Sequence, residues 1–138
     1  MNTKNNLLTA LFLSIAGVLF AGYLTVTKLI TGTCSFGESC PFLWNHPVCI
    51  YGLIIFFTVM ISIISLLITP SDRLARRYLL YSSILGVLFS AYYSYQEVFN
   101  PICGNACIYK LGLPTCIYGF IVFVAVFICV MLYRKKQK

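Results

Sequence analysis

The sequence predicts an all-α integral membrane protein, a bundle of four transmembrane helices made of two repeated helical hairpins with pseudo-twofold symmetry. Of its 138 residues, 60% are hydrophobic and only 9% are charged, whereas soluble domains carry about a quarter charged residues. Four apolar runs each approach the ~20 residues with which a helix crosses a bilayer. We therefore expect one membrane domain, residues 1–138, with no separate soluble domain. The runs are Leu7–Ile30, Val48–Ile68, Tyr78–Val98 and Cys116–Leu132.

The first run follows Lys4, as the apolar core of a secretory signal peptide follows its basic start. A signal core has only about 7–15 apolar residues and ends at a small-x-small cleavage pattern. This run is far longer, and Lys28, Thr31 and Gly32 stand at its end, where such a pattern would be expected. We therefore predict that the run is retained as the first transmembrane helix.

Basic residues predict the orientation, because lysine and arginine accumulate on the cytoplasmic side close to the ends of spans. Eight of the ten lie in three segments, at the N-terminus, between the second and third runs, and after the fourth run. Both termini and the middle turn should be cytoplasmic, in a plasma membrane, with the other two loops extracytoplasmic. Three short juxtamembrane stretches do not form a nucleic-acid surface, so the net charge of +7 predicts a lipid bilayer and no nucleic acid as partner. The eight residues are Lys4, Arg73, Arg76, Arg77, Arg134, Lys135, Lys136 and Lys138.

An internal repeat relates the two halves. With an offset of 69, residues 14–20 align with 83–89 at six identical positions of seven. With an offset of 67, the motif Cys-Ile-Tyr-Gly at 49–52 recurs at 116–119. Repeat one covers about 7–69 and repeat two about 76–133. Because each repeat holds two spans, both enter the membrane in the same direction, and the pseudo-twofold axis should lie along the membrane normal.

The repeat also predicts helix packing. Gly17 and Gly86, with Ala21 and Ser90 four residues on, form small-xxx-small patterns. Such patterns let helix backbones approach closely in lipid. We therefore interpret the two glycines as packing positions.

At one pair of equivalent positions the repeats carry opposite charges, Lys28 and Glu97. A charge near the end of a span is costly unless it pairs or reaches the interface. Either the two side chains form a salt bridge across the axis, or each extends to the interface by itself.

Six of the seven cysteines occupy equivalent positions in the two extracytoplasmic loops and at the starts of the helices that follow. Disulfides persist on that side of a membrane, so all six are disulfide candidates. Cys129 lies inside the fourth run and should behave as an inert, small apolar residue. The six are Cys34, Cys40 and Cys49 in repeat one, and Cys103, Cys107 and Cys116 in repeat two.

Six cysteines allow fifteen full pairings. Short loops close at little entropic cost, which favours Cys34 with Cys40 and Cys103 with Cys107. Cys49 and Cys116 then remain, each at a helix start, where the helix dipole stabilises a thiolate. They either take part in thiol–disulfide exchange or form bonds that only staple the bundle.

Two further features of the sequence distinguish less well between the possible functions. His46 lies among the cysteines of the first loop, but Leu113 stands at the equivalent position in the second loop, so we expect no metal site. Aromatic residues cluster toward the extracytoplasmic ends of the runs, where quinone rings would stack well. Aromatic belts also occur at membrane interfaces in general. The cluster comprises Trp44, Tyr51, Tyr92, Tyr93, Tyr95, Tyr109 and Tyr118.

A pattern in repeat one consists of Gly-Tyr-Leu-Thr at 22–25, Cys34 and Cys40 in the loop, and Pro47 followed by Tyr-Gly-Leu at 51–53. It resembles the first half of bacterial and archaeal proteins of the vitamin K epoxide reductase family, and more loosely DsbB-type proteins. The resemblance implies a four-helix membrane oxidoreductase whose loop cysteines pass electrons from extracytoplasmic thiols to a Cys-x-x-Cys beside a quinone.

By that resemblance Cys34 and Cys40 would be the shuttle pair. The chain departs from the family pattern at the start of the fourth run, where Cys116 stands without a second cysteine at Cys-x-x-Cys spacing. Cys116 would then act with Cys107 or Cys49, or the chain has kept the bundle and lost the chemistry.

These observations lead to one functional hypothesis and one alternative. The hypothesis is a membrane thiol–disulfide oxidoreductase that passes electrons from extracytoplasmic thiols to a quinone, with Cys34, Cys40, Cys107 and Cys116 as reacting residues and a thioredoxin-like protein as partner. The alternative is a non-catalytic, disulfide-stapled subunit or binding module of a larger membrane complex. A small transporter is disfavoured, because the runs contain almost no ionisable residues to mark a substrate path.

Overall fold

The computed structural model describes residues 3–32, 42–100 and 115–137. Within these ranges the chain forms four long helices and one short hairpin, which confirms the predicted helical bundle. The helices are α1 (Thr3–Thr31), α2 (Val48–Ile68), α3 (Arg73–Phe99) and α4 (Thr115–Gln137). The hairpin precedes α2 and pairs β1 (Phe42–Leu43) with β2 (His46–Pro47).

The helices surround a common core. α1 packs against α2 and α4, and α3 packs against the same two helices, so α1 and α3 occupy opposite corners. We call the end where α1 and α3 finish and α2 and α4 begin the loop end. The opposite end, where residues 69–72 join α2 to α3, is the turn end.

The helix boundaries show what hydropathy does and does not predict. α2 covers Val48–Ile68, as the apolar run predicts. α3 begins at Arg73, one turn before the predicted span, because Asp72 caps it. The Asp72 carboxylate accepts hydrogen bonds from the backbone N–H groups of Leu74 at 2.9 Å and Ala75 at 3.2 Å, which satisfies two otherwise unpaired donors of the first turn.

Three of the helices are long and apolar enough to cross a membrane: Lys4–Thr31, Val48–Ile68 and Thr115–Lys136. Large apolar side chains also cover the outside of the bundle, and those of Phe12, Leu19 and Ile68 are each about 70% exposed or more. Soluble monomers rarely expose apolar patches beyond a few hundred Å². The surface is therefore suited to contact with lipid.

α3 is not among these three helices, and between residues 78 and 95 it carries four serines and five tyrosines. Ser82, Ser83, Ser90 and Ser94 are all buried. The hydroxyl groups of Ser82 and Ser90 donate to carbonyls one turn earlier in α3, at 2.6 Å each. These four serines thus lie inside the bundle, whereas Tyr78, Tyr81, Tyr92 and Tyr95 are each more than half exposed.

Two apolar clusters form the core. The cluster at the turn end includes Val59, Ile63 and Val126, and Cys129 packs against it as a small apolar side chain. The other cluster lies nearer the loop end and centres on Phe56 and Phe123. The rings of these two residues stack with centroids 3.8 Å apart and planes inclined by 12°.

Gly17 and Gly86 make room for this pair of rings. A Cβ atom at Gly17 would lie less than 3.0 Å from ring atoms of Phe56, and a Cβ at Gly86 would overlap the ring of Phe123 in the same way. The predicted packing role is confirmed with one refinement. Each glycine accommodates a phenylalanine ring of the following helix.

Candidate functional site

Cys49 and Cys116 are the second residues of α2 and α4. Pro47 precedes α2 with an extended backbone, φ −64° and ψ 138°. Because proline has no backbone N–H group to donate within a helix, it favours a helix that begins at the next residue. The same sequence motif, Pro-x-Cys-Ile-Tyr-Gly, occurs at 114–119, where α4 begins. Each thiol therefore lies in a first helical turn, where unpaired N–H groups and the helix dipole favour a negative charge.

Both cysteines line one cavity of about 70 Å³ among the four helices, close to the loop end. Its walls are mostly apolar and come from every helix. The lining residues are Phe20, Ala21, Leu24, Val48, Cys49, Gly52, Phe56, Phe89, Ser90, Tyr93, Thr115, Cys116, Gly119 and Phe123.

The cavity is lined by positions that the sequence repeat pairs. Seven residues come from repeat one, and their seven equivalents in repeat two complete the lining. Cys49 with Cys116 and Phe56 with Phe123 are two such pairs. The cavity is thus built from the same positions of both halves.

The two halves of the cavity differ in polarity. Where repeat one has Ala21, Leu24 and Val48, repeat two has Ser90, Tyr93 and Thr115. Each of these three substitutions adds a hydroxyl group. One half of the wall is therefore apolar, and the other carries hydrogen-bonding groups.

Tyr93 lines the cavity on the same half as Cys116. Its ring lies 4.8 Å from that of Phe89 and 5.2 Å from that of Tyr92, measured between centroids. Its hydroxyl group is one of the three that line the repeat-two half of the cavity, to which Cys116 also belongs. Among the residues that the structure describes, this hydroxyl has no hydrogen-bond partner, whereas the Ser90 hydroxyl donates to the Gly86 carbonyl at 2.6 Å.

Two glycines keep the cavity open. A Cβ atom at Gly52 or at Gly119 would meet no other atom within 4 Å. Both belong to the repeated Cys-Ile-Tyr-Gly motif, one turn after the cysteine. The absence of a side chain here leaves open space in the cavity wall, in contrast to the filled positions at Gly17 and Gly86.

A wider groove opens beside the cavity, on the surface between α1 and α4. It measures about 360 Å³ and shares Phe20, Phe56 and Gly119 with the cavity. Tyr118 borders it, with its ring centroid 6.5 Å from that of Phe20. The groove thus adjoins the site from the outer surface of the bundle.

The hairpin lies next to the start of α2. Trp44 and Asn45 form its two-residue turn, both with positive φ, as a type I′ turn requires. The Tyr51 hydroxyl donates to the Leu43 carbonyl at 3.2 Å and ties the hairpin to α2. A ring nitrogen of His46 lies 2.9 Å from the Trp44 carbonyl, and no group of three potential metal ligands converges within the described ranges.

The predicted site residues separate into two groups. Cys49 and Cys116 come together in one cavity, and no disulfide joins any two of Cys49, Cys116 and Cys129. The predicted loop bridges remain predictions, because the remaining candidates, Cys34, Cys40, Cys103 and Cys107, lie outside the described residues.

Lys28 and Glu97 are both half-buried near the loop end. Each takes part in a polar or electrostatic interaction. The salt bridge between them stays a prediction.

Sequence reasoning missed Tyr93 and the glycine pair Gly52 and Gly119 as site residues. Tyr93 stood out only as one aromatic residue of an interfacial belt. The signal that identifies it is the difference between the repeats, because Leu24 occupies its equivalent position.

Comparison with known proteins yields no significant match to a protein-family model, to a curated protein or to a solved structure.

Proposed function

We propose that this chain is a membrane thiol–disulfide oxidoreductase in which Cys49 and Cys116 form the redox pair beside the membrane. One observation carries the proposal: the two cysteines, one from each half, line the same cavity in the first turns of α2 and α4. Reactive cysteines need a site that stabilises the thiolate. Two helix starts supply it within one small space.

The loop cysteines would deliver the electrons. In this proposal a thioredoxin-like protein outside the membrane reduces the pair Cys34 and Cys40, and that pair then reduces the disulfide between Cys49 and Cys116. Each transfer breaks one disulfide, forms another, and moves two electrons with two protons. The chain resembles the vitamin K epoxide reductase family but lacks its Cys-x-x-Cys motif. In this proposal Cys49 and Cys116 take the place of that motif.

A quinone is the proposed electron acceptor, and the two spaces differ in how well they suit it. A cavity of about 150 Å³ holds a benzene ring, whereas the cavity that the two cysteines line has only about 70 Å³. The adjoining groove, at about 360 Å³, is large enough. Phe20, Tyr118 and Val122 of that groove would hold a quinone, which would accept the two electrons when bound.

The arrangement in the membrane is part of the proposal. We infer that α3 also spans the bilayer, because its serines are buried while Ile84, Leu85 and Leu88 on its outer face are exposed. The repeated contacts of Gly17 with Phe56 and Gly86 with Phe123 support a pseudo-twofold axis along the membrane normal. The basic residues support a cytoplasmic turn end and an extracytoplasmic loop end.

A redox titration tests the function. The purified chain in detergent is equilibrated across a series of glutathione potentials, alkylated, and mapped by mass spectrometry. We expect Cys49 and Cys116 to change between dithiol and disulfide at potentials above about −300 mV, below which structural disulfides typically lie. Addition of a quinone should then reoxidise the pair.

The non-catalytic alternative gives a different result in the same experiment. A stapled scaffold would keep every extracytoplasmic cysteine in bridges that resist reduction throughout the series. That outcome, or a Cys49 and Cys116 pair that stays reduced at every potential, contradicts the proposed function. The membrane-buried Cys129 is the internal control, because it should remain a thiol at all potentials.

Labelling from one side of the membrane tests the topology. Asn45→Cys in the hairpin should react with a membrane-impermeant maleimide in intact cells, while Ser71→Cys in the turn should react only after permeabilisation. The native cysteines give the baseline, measured on the unmodified chain. Reaction of Ser71→Cys with the maleimide in intact cells would show that the topology is the reverse of the one proposed.

A further inference from the structure

We propose that the outer face of α4 at the turn end binds one anionic phospholipid. Arg134 and Lys135 hold its phosphate, and an acyl chain lies along the apolar side chains of the two preceding turns. The site lies at the opposite end of the bundle from the two cysteines. It therefore goes beyond the proposed function and does not depend on it.

A groove of about 480 Å³ follows the surface of α4 near its end. Four apolar and two basic side chains line it: Phe127, Ile128, Met131, Leu132, Arg134 and Lys135. Residues three and four apart share one face of a helix, so these positions form a stripe about 12 Å long at 1.5 Å per residue. Val130 and Tyr133 lie between them in the sequence and are buried in the core. The groove therefore lies on the outer side of α4.

The order of residues along the groove matches the order of groups in a phospholipid. The segment of α4 that is suited to cross a membrane ends at Lys136, so Arg134 and Lys135 belong at the depth of the headgroups. The apolar part, residues 127–132, comes earlier in the segment and belongs at the depth of the acyl chains. Basic side chains at this depth attract anionic headgroups, and an arginine can bind a phosphate through two N–H groups at once.

The turn end has an excess of positive charge that the chain's own acidic side chains do not balance. Eight of the ten basic residues belong to the segments that meet there, and the whole sequence has only three acidic residues. Glu38 falls between α1 and β1 in the sequence, and Glu97 lies near the end of α3. The third, Asp72, accepts two backbone hydrogen bonds at the start of α3. An anionic ligand at the turn end therefore complements the charge of the chain.

The sequence repeat distinguishes this site from the general contact of the bundle with lipid. With the offset of 67, the positions in α2 that correspond to Arg134 and Lys135 are Leu67 and Ile68. The equivalent face of α2 therefore has apolar side chains where α4 has the two cations. We infer one such lipid for each chain, on repeat two.

Native mass spectrometry of the full chain in detergent tests the site, with dioleoyl phosphatidylglycerol and dioleoyl phosphatidylcholine as probes. The two lipids have the same acyl chains, and only the first has a net negative charge. The native chain should bind the first phosphatidylglycerol about tenfold more tightly than phosphatidylcholine, and Arg134→Gln or Lys135→Gln should weaken its binding about threefold to fivefold. Lys136→Gln is the matched control, because it removes the same charge from an exposed residue outside the groove. Its effect should stay below about twofold, since salt screens a charge that makes no direct contact.

A second pair of variants tests the apolar part of the groove. Ile128→Trp places a bulky side chain in the groove without changing the charge, and it should weaken phosphatidylglycerol binding about fivefold, as steric overlap typically does. Ile61→Trp is the control on α2. The repeat pairs Ile61 with Ile128, and the two side chains are 49% and 52% exposed. This control should bind the lipid as the native chain does.

Three results would overturn the proposal. Equal affinity of the native chain for the two lipids would show that the charge of the headgroup is not recognised. An equal loss of binding in Lys136→Gln and Arg134→Gln would show that positive charge acts diffusely and that the groove is not a site. Displacement of phosphatidylglycerol by inorganic phosphate, or unchanged binding in Ile128→Trp, would show that a soluble anion suffices and that no acyl chain occupies the groove.

Discussion

Substitution of Gly119 by leucine should reduce exchange at the cavity by at least about 100-fold while leaving the bundle as stable as the native chain. A Cβ at this position meets no other atom within 4 Å, so the new side chain enters open space between the helices. A misplacement of reacting groups by about 1 Å can cost 100-fold in rate. The measurement is the rate at which the pair Cys49 and Cys116 is reduced by dithiothreitol and reoxidised by a quinone.

Two further variants make this prediction more specific. Gly52→Leu fills only the cavity, whereas Gly119→Leu also narrows the adjoining groove. Slow reduction in both variants, with a larger loss of quinone reoxidation in Gly119→Leu, would support the groove as the acceptor site. Gly22→Ala is the control, because its Cβ meets only Leu53 at an ordinary 3.9 Å. Native rates in Gly119→Leu would exclude this cavity as the site of exchange.

Much of the fold follows from the sequence because the bilayer imposes a simple rule on length and polarity. The run Val48–Ile68 equals α2, since a proline precedes it and Thr69 and Pro70 follow it. The start of α3 was predicted too late because hydropathy marks the edge of the apolar layer and not the end of the helix. Arg73, Arg76 and Arg77 are polar and still helical, and the cap that begins their helix is Asp72.

α3 shows a second limit of predicting transmembrane helices from mean hydropathy. A hydropathy average over a window counts Ser82 and Ser90 as polar, whichever way their side chains point. In the structure both are buried and bonded to their own helix, while the exposed residues of α3 include leucines and tyrosines. Whether a polar side chain faces lipid or the interior depends on packing, which an average over the sequence does not contain.

The site was predicted in part for a related reason. The repeat identifies Cys49 and Cys116 as equivalent, but several partners for Cys116 remained open, because contact across an axis depends on how the halves pack. The glycines illustrate the same point. Gly17 and Gly52 look alike in the sequence, and only the positions of neighbouring side chains show that one faces a ring and the other faces open space.

Substitution of Gly86 by alanine should destabilise the bundle by about 1–3 kcal/mol, the usual cost of adding a methyl group to a well-packed core. The added Cβ overlaps the ring of Phe123, which is 2% exposed and stacked on Phe56. Lipid is as apolar as the core, so packing contacts rather than transfer from water maintain helix association. The free energy of unfolding in mixed detergent micelles measures the effect.

Matched variants make this prediction specific. Gly17→Ala should behave like Gly86→Ala, whereas Gly52→Ala should stabilise the bundle by about 0.5–1 kcal/mol, the usual gain in helix propensity over glycine. Phe123→Leu should destabilise the native chain but less so in the Gly86→Ala background, because the smaller side chain relieves the overlap. Equal effects of alanine at Gly86 and at Gly52, or no coupling between Gly86 and Phe123, would show that the stacked rings do not determine how the two halves pack.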